Sequence, residues 1–341
     1  MCSAVPVTFT ARGVHIASVT PIPQAGVALA IFSFGNLTAS LLPETWWLPL
    51  HAICAFFGLT MLIPVIVRHL VAIHNISVRS ALTADYNNPM VAPLVTTMPM
   101  AFITLGTYIV RFGETGFLCA QAVWWIGVIC IAFFMAYLTW RFVLHGFSLI
   151  NICPAWLVGF VGILVAAVTS DAVELTWAGK IIFKIGFVID IVMLILITSR
   201  IAWHGLPDAI RPTLAIYSAP ISLLVASYYG TCSTHKPIFT LILLTCSQLL
   251  FVFVAVLLPW MLDTPVSPAW AAFTFPLVIT ATALHDALLI FNQAEWCVPV
   301  WAYWLQASET ILAGILIAIT ATAFIRKTWE SMKSHVLQSS A

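Results

Sequence analysis

Ten long apolar stretches follow one another along the chain with only short polar joints between them. Each is close to the roughly 20 residues that a helix needs to cross a bilayer. They run near 22–42, 48–69, 92–111, 117–140, 154–171, 180–200, 213–230, 238–260, 269–290 and 301–325, and predict ten transmembrane helices. The stretches alternate in kind. The odd ones are broken by Pro, Gly and hydroxyl residues: PIPQAGVALAIFSFGN, PLVTTMPMAFITLGT, PAWLVGFVGILVAAVTS, RPTLAIYSAPISLLVASYYG and PAWAAFTFPLVITATAL. The even ones are bulkier, with Trp124, Trp125, Phe133 and Phe134 in the fourth and Leu249, Leu250, Phe251 and Phe253 in the eighth. Interrupted backbone is tolerated in lipid only where protein covers it or a cavity takes it up. The odd helices are therefore expected to form an inner ring and the even helices a shell facing lipid or a partner.

The odd stretches open on Pro23, Pro93, Pro154, Pro212 and Pro268, which lie 70, 61, 58 and 56 residues apart. That is about the length of two spans with their loops, so the repeating unit is a helical hairpin used five times. All five first helices then run in the same direction, and parallel copies close most simply about an axis along the membrane normal. Interior prolines at Pro99, Pro220 and Pro276 are expected to kink their helices and free a carbonyl, since such a residue costs about 3 kcal/mol in an ordinary helix. Small residues, among them Gly26, Gly159 and Gly162, allow close backbone approach.

Composition agrees with a lipid environment: 62% of the 341 residues are hydrophobic and 7% charged, where a soluble domain carries about 25% charged. Residues 1–341 read as one all-α integral membrane domain with short termini and no separate soluble part. Residues before Pro21 and Pro23 lack the charged start and cleavage site of a secretory signal and are read as retained. Arg12, Arg68, Arg79, Arg141, Arg200, Arg211, Arg326, Lys327 and Lys333 fall on one side of the predicted topology, and Arg111, Lys180, Lys184 and Lys236 on the other. The positive-inside rule then places both termini in the cytoplasm. A net charge of +1 without a basic cluster gives no support to nucleic-acid binding.

The odd helices contain no Lys, Arg, Asp, Glu or His between their leading prolines and outer ends until His285 and Asp286. A proton-relaying carrier normally needs such a group in the membrane. The predicted pathway is electrically neutral, and its selectivity falls to diameter, to broken-helix dipoles and to the hydroxyls of Ser33, Thr96, Thr97, Ser218, Ser222, Thr274 and Thr280. Half-helix N-termini favour anions. Membrane carboxylates sit instead on even helices: Asp190 and Glu309, with Lys184 as a candidate counter-charge, read either as a coupling site or as structural pairs. Phe273 and Phe275 straddle Thr274 just before Pro276, where an aromatic ring either packs or plugs a neutral pore. The eight cysteines lack CxxC spacing and the nine histidines lack HExxH. No metal, cofactor, disulfide framework or enzyme follows from them, nor does a GxSxG elbow or phosphate loop occur.

At these residues the chain resembles the tellurite-resistance and dicarboxylate-transporter family, which includes bacterial TehA, fungal malate and sulfite permeases and the slow anion channels of plant guard cells. The resemblance rests on NNPMVAPLVTTMP at 87–99, PTLAIYSAP at 212–220 and PAWAAFTFP at 268–276, in this order and spacing, and covers most of the chain. It implies ten helices as five hairpins with a pseudo-five-fold inner ring, and a homotrimer with one pore per subunit. It also implies a phenylalanine of the ninth helix blocking the pore, which falls on Phe275 with Phe273 as the fallback. Gly26 is then expected to make room for that ring, and the fifth helix carries no sharp family motif. The combined expectation is an anion channel or transporter in a bacterial inner membrane, passing small anions through a neutral pore. Its alternative is a secondary carrier exporting a dianion such as malate, sulfite or tellurite, coupled through Asp190 or Glu309.

Overall fold

The computed structural model describes the backbone of residues 11–340 and the side chains of 13–333. The first ten residues and the side chains of Arg12 and His335, weighed above, lie outside the described residues. All regular structure among the described residues is helical. Among the described residues, nine helical segments are long and apolar enough to cross a membrane. The even stretches become α3 (Glu44–His74), α6 (Gly113–Leu138), α9 (Thr176–His204), α11 (Pro237–Leu262) and α13 (Val300–Ser340), each running as one long helix, with α6 ending in a π-turn over Thr139–Leu144.

The odd stretches are built differently. The first is α2 (Gln24–Leu41), which starts from a turn at Pro21–Pro23. The third is a 3₁₀ segment, Ala92–Thr96, followed by α5 (Thr97–Ile109). The fifth is split into α7 (Ala155–Val161) and α8 (Leu164–Thr169). The seventh and ninth repeat the 3₁₀-to-α pattern, with Asp208–Ser218 leading into α10 (Pro220–Thr231) and Pro268–Phe273 into α12 (Phe275–Gln293). The fifth is the predicted span missing from the nine. Tight bonds from Val165 N to Gly162 O (3.1 Å) and Ala166 N to Ile163 O (3.0 Å) break it in the middle.

The interior prolines do not kink helices, contrary to expectation. Pro220 is the first residue of α10, Pro276 the second of α12 and Pro99 the third of α5. In the first turn of a helix the missing N–H has no intrahelical acceptor to lose. The break lies before each proline, in the 3₁₀ segment, so the cost of an interior proline is not incurred.

Burial sorts the two kinds of helix as predicted. In the membrane-length odd segments 67–83% of the most apolar window is buried, against 17–33% in the even ones. α2 packs on α5, α5 on α8, α8 on α10, α10 on α12, and α12 back on α2. Outside this circuit, α3 lies over α2, α6 over α5, α9 over α7, α8 and α10, α11 over α10 and α12, and α13 over α12 and α2.

The even helices also carry small residues at their seams, which the sequence reading reserved for the odd ones. Gly58 lies under the Phe32 ring, Gly127 against Ile103, Gly186 against Leu164 and Gly314 against Phe34. At the matching seam of α11 stands Ser247, bonded to Ser222. Apolar association in lipid is driven by close packing rather than by water exclusion, so a missing side chain is what lets each outer helix approach.

Two shorter helices were not predicted: α1 (Ala11–Val19) and α4 (Ile76–Asn87). The Asn75 side chain caps α4 by accepting from Ser77 N (3.1 Å) and Val78 N (3.2 Å). Buried Arg68 fastens both to the bundle, pairing with Asp85 at 2.8 Å and donating to Thr20 O at 3.0 Å. His15 Nε2 lies 3.1 Å from the carbonyl of Ser331, so the two ends of the described chain meet on one side.

Candidate functional site: an axial cavity between the odd helices

All five odd segments contribute walls to one cavity of about 50 Å³. At 10–15 Å³ per water centre it has room for only a few waters. Pro23, Gly26 and Leu29 line it from the first segment, and Leu94, Thr97 and Met100 from the third. Leu157, Val161 and Gly162 line it from the fifth, Ile216, Pro220 and Leu223 from the seventh, and Pro268, Ala271, Phe275 and Pro276 from the ninth. No charged side chain reaches it, and the surface is almost wholly apolar.

Phe275 stands where the ninth segment passes from 3₁₀ to α. The preceding Thr274 takes φ −105° and ψ −86°, which turns the chain and delivers the next ring to the cavity. Phe273 is not on the wall. It is fully buried behind it, edge-on to Trp270 with ring centroids 5.7 Å apart. Gly26 is on the wall, but a Cβ there would meet Thr97 Cγ2 at 3.5 Å and Ala271 Cβ at 4.0 Å rather than the Phe275 ring. The space beside Gly26 is thus lined by Thr97 and Ala271.

The hydroxyls expected to line the path are mostly used elsewhere. Thr97 reaches the cavity, yet its Oγ1 donates to Leu94 O at 2.7 Å. Thr96 donates to Pro93 O (2.7 Å) and approaches Val158 O (3.1 Å), and Thr274 donates to Ala271 O (2.7 Å). Ser218, Ser222 and Thr280 are fully buried in a knot between α10, α11 and α12. Ser222 Oγ lies 2.6 Å from Ser218 O and 2.7 Å from Ser247 Oγ, and Thr280 Oγ1 lies 3.0 Å from Ser218 O and 2.9 Å from Pro276 O. The reason is local. Around the breaks the nearest acceptor for a hydroxyl in lipid is a backbone carbonyl. Leu94 O and Ala271 O accept the backbone N–H of Thr97 and Thr274 as well as their hydroxyls. Ser247 belongs to the knot and was missed, because on an even helix it reads as an isolated small residue.

Other candidates divide similarly. Gly162, Pro220 and Pro276 are on the wall. Gly159 lies in the seam where Leu138 and Pro93 meet, and Pro99 is buried with its carbonyl toward Gly127. Ser33 is half-buried one turn out from Leu29. Asp190 and Glu309 are buried away from the cavity, and all four carboxyl oxygens lack a hydrogen-bond partner. The Gln248 amide of α11 stands beside Glu309 but outside normal bonding geometry. Lys184 is exposed and makes no ion pair among the described residues, so it is not the counter-charge proposed from sequence. A lysine one and a half turns from Asp190 points to the outside of α9, where lipid or headgroups can meet its ammonium.

Further out, the odd segments become partly exposed. Seven residues beyond Leu29, Met100, Val161, Leu223 and Phe275 come Asn36, Thr107, Val168, Gly230 and Thr282, each half-exposed on an otherwise buried segment. Seven residues is two helical turns, so Asn36, Thr107, Gly230 and Thr282 stand on the same face as their wall residues, while Val168 lies across the break of the fifth segment. Asn36 Nδ2 donates to Thr107 Oγ1 at 2.8 Å, and His51 Nε2 lies 3.2 Å from Asn36 Oδ1. His51 stacks on Tyr108 at 3.7 Å, and the Tyr108 hydroxyl donates to Phe32 O at 2.7 Å. This polar outer tier was missed, although the seven-residue offset from the wall was available in the sequence.

No curated relative matches the chain. The family described as voltage-dependent anion channel (SLAC1) matches residues 23–328, which contain every wall residue of the cavity. Taken with the apolar helices and the neutral axial space, that match establishes a multi-pass membrane protein of an anion-transport family, and the chain belongs to the voltage-dependent anion channel family, whose members are transporters or channels rather than enzymes.

Proposed function

We propose that the chain is an anion channel whose conduit is the axial cavity and whose gate is the Phe275 ring. The single observation that carries this reading is the wall itself: five odd segments, four of them broken, meet around one uncharged space, and an aromatic side chain at the break of the ninth lines it. Small monovalent anions or oxo-anions fit a neutral path of this kind better than cations, because half-helix N-termini at the breaks present partial positive charge. Apolar walls around a space with room for only a few waters describe a closed state.

On the same reading ten spans form five hairpins about a pseudo-five-fold axis. The closed circuit of odd helices supports it, and so does the meeting of α1 with α13. Ends on one side need an even number of crossings, so the split fifth segment counts as the tenth. The reading puts the protein in a bacterial inner membrane with both ends in the cytoplasm, an orientation that the positive-inside rule supports, and a homotrimer with one conduit per subunit is the expected assembly. The test is reconstitution in planar bilayers. Phe275→Ala should raise anion conductance, with reversal potentials tracking the anion gradient; a variant as silent as the parent would remove the gate.

One observation favours a second reading. Asp190 and Glu309 are buried without partners, and such groups in membranes commonly mark proton pathways. A carrier coupled through them would export a dianion such as malate, sulfite or tellurite. Flux that follows a proton gradient and is lost in Asp190→Asn or Glu309→Gln would decide for it.

A further inference from the structure

Beyond the gate, α12 carries Asp286 eleven residues after Phe275, three turns outward on the same face and about 16 Å along the axis. Thr282, one turn inward of it, is half-exposed in the outer tier. Asp286 is 93% enclosed, the remaining 7% being its exposed fraction, and forms neither an ion pair nor a hydrogen bond with a described residue. Its carboxyl has no structural partner to serve. An unpaired carboxyl on the path of an anion acts in two opposite ways. As an acid it donates a hydrogen bond to the passing ion, and as a carboxylate it repels it.

We propose that Asp286 is the specificity-determining residue at the outer end of the conduit, passing anions when protonated and rejecting them, dianions most strongly, when ionised. The inference rests on the channel reading above. Repulsion is proportional to the charge of the permeating ion. A factor f lost by a monoanion on ionisation of Asp286 is therefore lost as about f² by a dianion of similar position.

The groups around Asp286 sharpen the assignment. Tyr229 of α10 lies within the field of both Asp286 and Asp171, the latter in the turn after α8. His235 bonds the Tyr229 carbonyl at 3.1 Å. His285 is the neighbour on α12 itself, α2 carries no titratable side chain, α11 carries Cys246, and on α13 the buried titratable group is Glu309. Asp171 is the nearest rival carboxylate and serves as the control.

Chloride and sulfate flux should be measured in proteoliposomes of the Phe275→Ala protein, with pH changed equally on both sides from about 5 to about 8, a range over which an ordinary surface carboxylate is largely ionised throughout. Flux should fall with rising pH by roughly tenfold for chloride and by about the square of that for sulfate. Asp286→Asn and Asp286→Ser should each flatten both profiles at the high, acid-side level, and Asp171→Asn should leave them steep. Flat profiles with Asp286 present, steep ones in both replacements, equal loss for the two ions, or a slope abolished by Asp171→Asn would each overturn the proposal. Absence of any anion flux in the Phe275→Ala protein would instead overturn the channel reading, and this inference with it.

Discussion

Phe275→Ala is the perturbation whose size follows most directly from the structure. The ring is 9% exposed and borders a cavity of about 50 Å³ walled by five segments. Fully burying a phenylalanine side chain is worth about 1.5–3 kcal/mol relative to leaving it in water. Swinging it aside into a hydrated conduit forfeits about that much. At 1.4 kcal/mol per decade the closed state is then favoured by roughly 10- to 150-fold, and removal of the ring should raise macroscopic conductance within that range. Single-channel recording separates the two ways of getting there, because loss of a gate raises open probability while a merely wider pore raises unitary current. Phe275→Leu should fall between parent and alanine. Phe273→Ala is the companion control: its ring is wholly buried behind the wall, so it should cost about 3–5 kcal/mol of stability with no gain in conductance. Equal conductance in Phe275→Ala and parent, or a gain confined to Phe273→Ala, would refute the reasoning.

Gly127→Ala should destabilise the α5–α6 seam by about 1–3 kcal/mol, because the added methyl would lie 2.8 Å from Ile103 Cδ1 and 3.2 Å from the Pro99 carbonyl; thermal unfolding in detergent reads it. Ser222→Ala and Ser247→Ala should each cost about 1 kcal/mol, with a coupling of about 0.5 kcal/mol or more in the double variant, since each loses the same 2.7 Å bond. Arg68→Ala should cost about 2–4 kcal/mol by stranding Asp85 and the Thr20 carbonyl, and should increase protease access to the α1 and α4 region. Asp190→Asn and Glu309→Gln should keep or raise the melting temperature, as neither carboxyl has a partner to lose; a marked fall would show that a bond is formed there.

How much of this was legible depends on the range of the signal. The recurrence of Pro23, Pro93, Pro154, Pro212 and Pro268 marked where the buried odd segments begin, because a proline tolerated in lipid marks a place where the backbone must start anew. Which residues face the axis was legible only where the helix began. Gly26, Thr97, Pro220, Phe275 and Pro276 stand in the first turns after a break and do line the cavity. The hydroxyls deeper in the helices were assigned to it by chemistry alone, yet Ser222 and Thr280 turn toward carbonyls that only the folded break reveals. The seam glycines were hidden for the opposite reason: Gly58, Gly127 and Gly186 sit among bulky neighbours, and their meaning lies in the Phe32, Ile103 and Leu164 side chains of another helix. The amphipathic α4 was masked by a loop assignment, although Asn75 followed by Ile76 carries a capping pattern.

The division of labour between wall and outer tier follows from the cost of charge in lipid. A conduit that carried its own cations would bind an anion tightly at the narrowest point, and an ion held there would leave slowly. Here the cavity wall is almost wholly apolar, and the hydroxyls that could have bound an ion, those of Thr97 and Thr213 on the wall included, are spent on backbone carbonyls. The polar contacts lie two turns further out, where Asn36 and Thr107 bond each other and His51 braces them. On the channel reading proposed above, an anion exchanges partners gradually, first at a tier of amide and hydroxyl, then at an apolar constriction that Phe275 gates. Selection by charge and control of passage are thereby separated along the axis, and so Asp286→Asn and Phe275→Ala should act independently: their effects on chloride conductance should multiply, because the two side chains lie about 16 Å apart and share no partner.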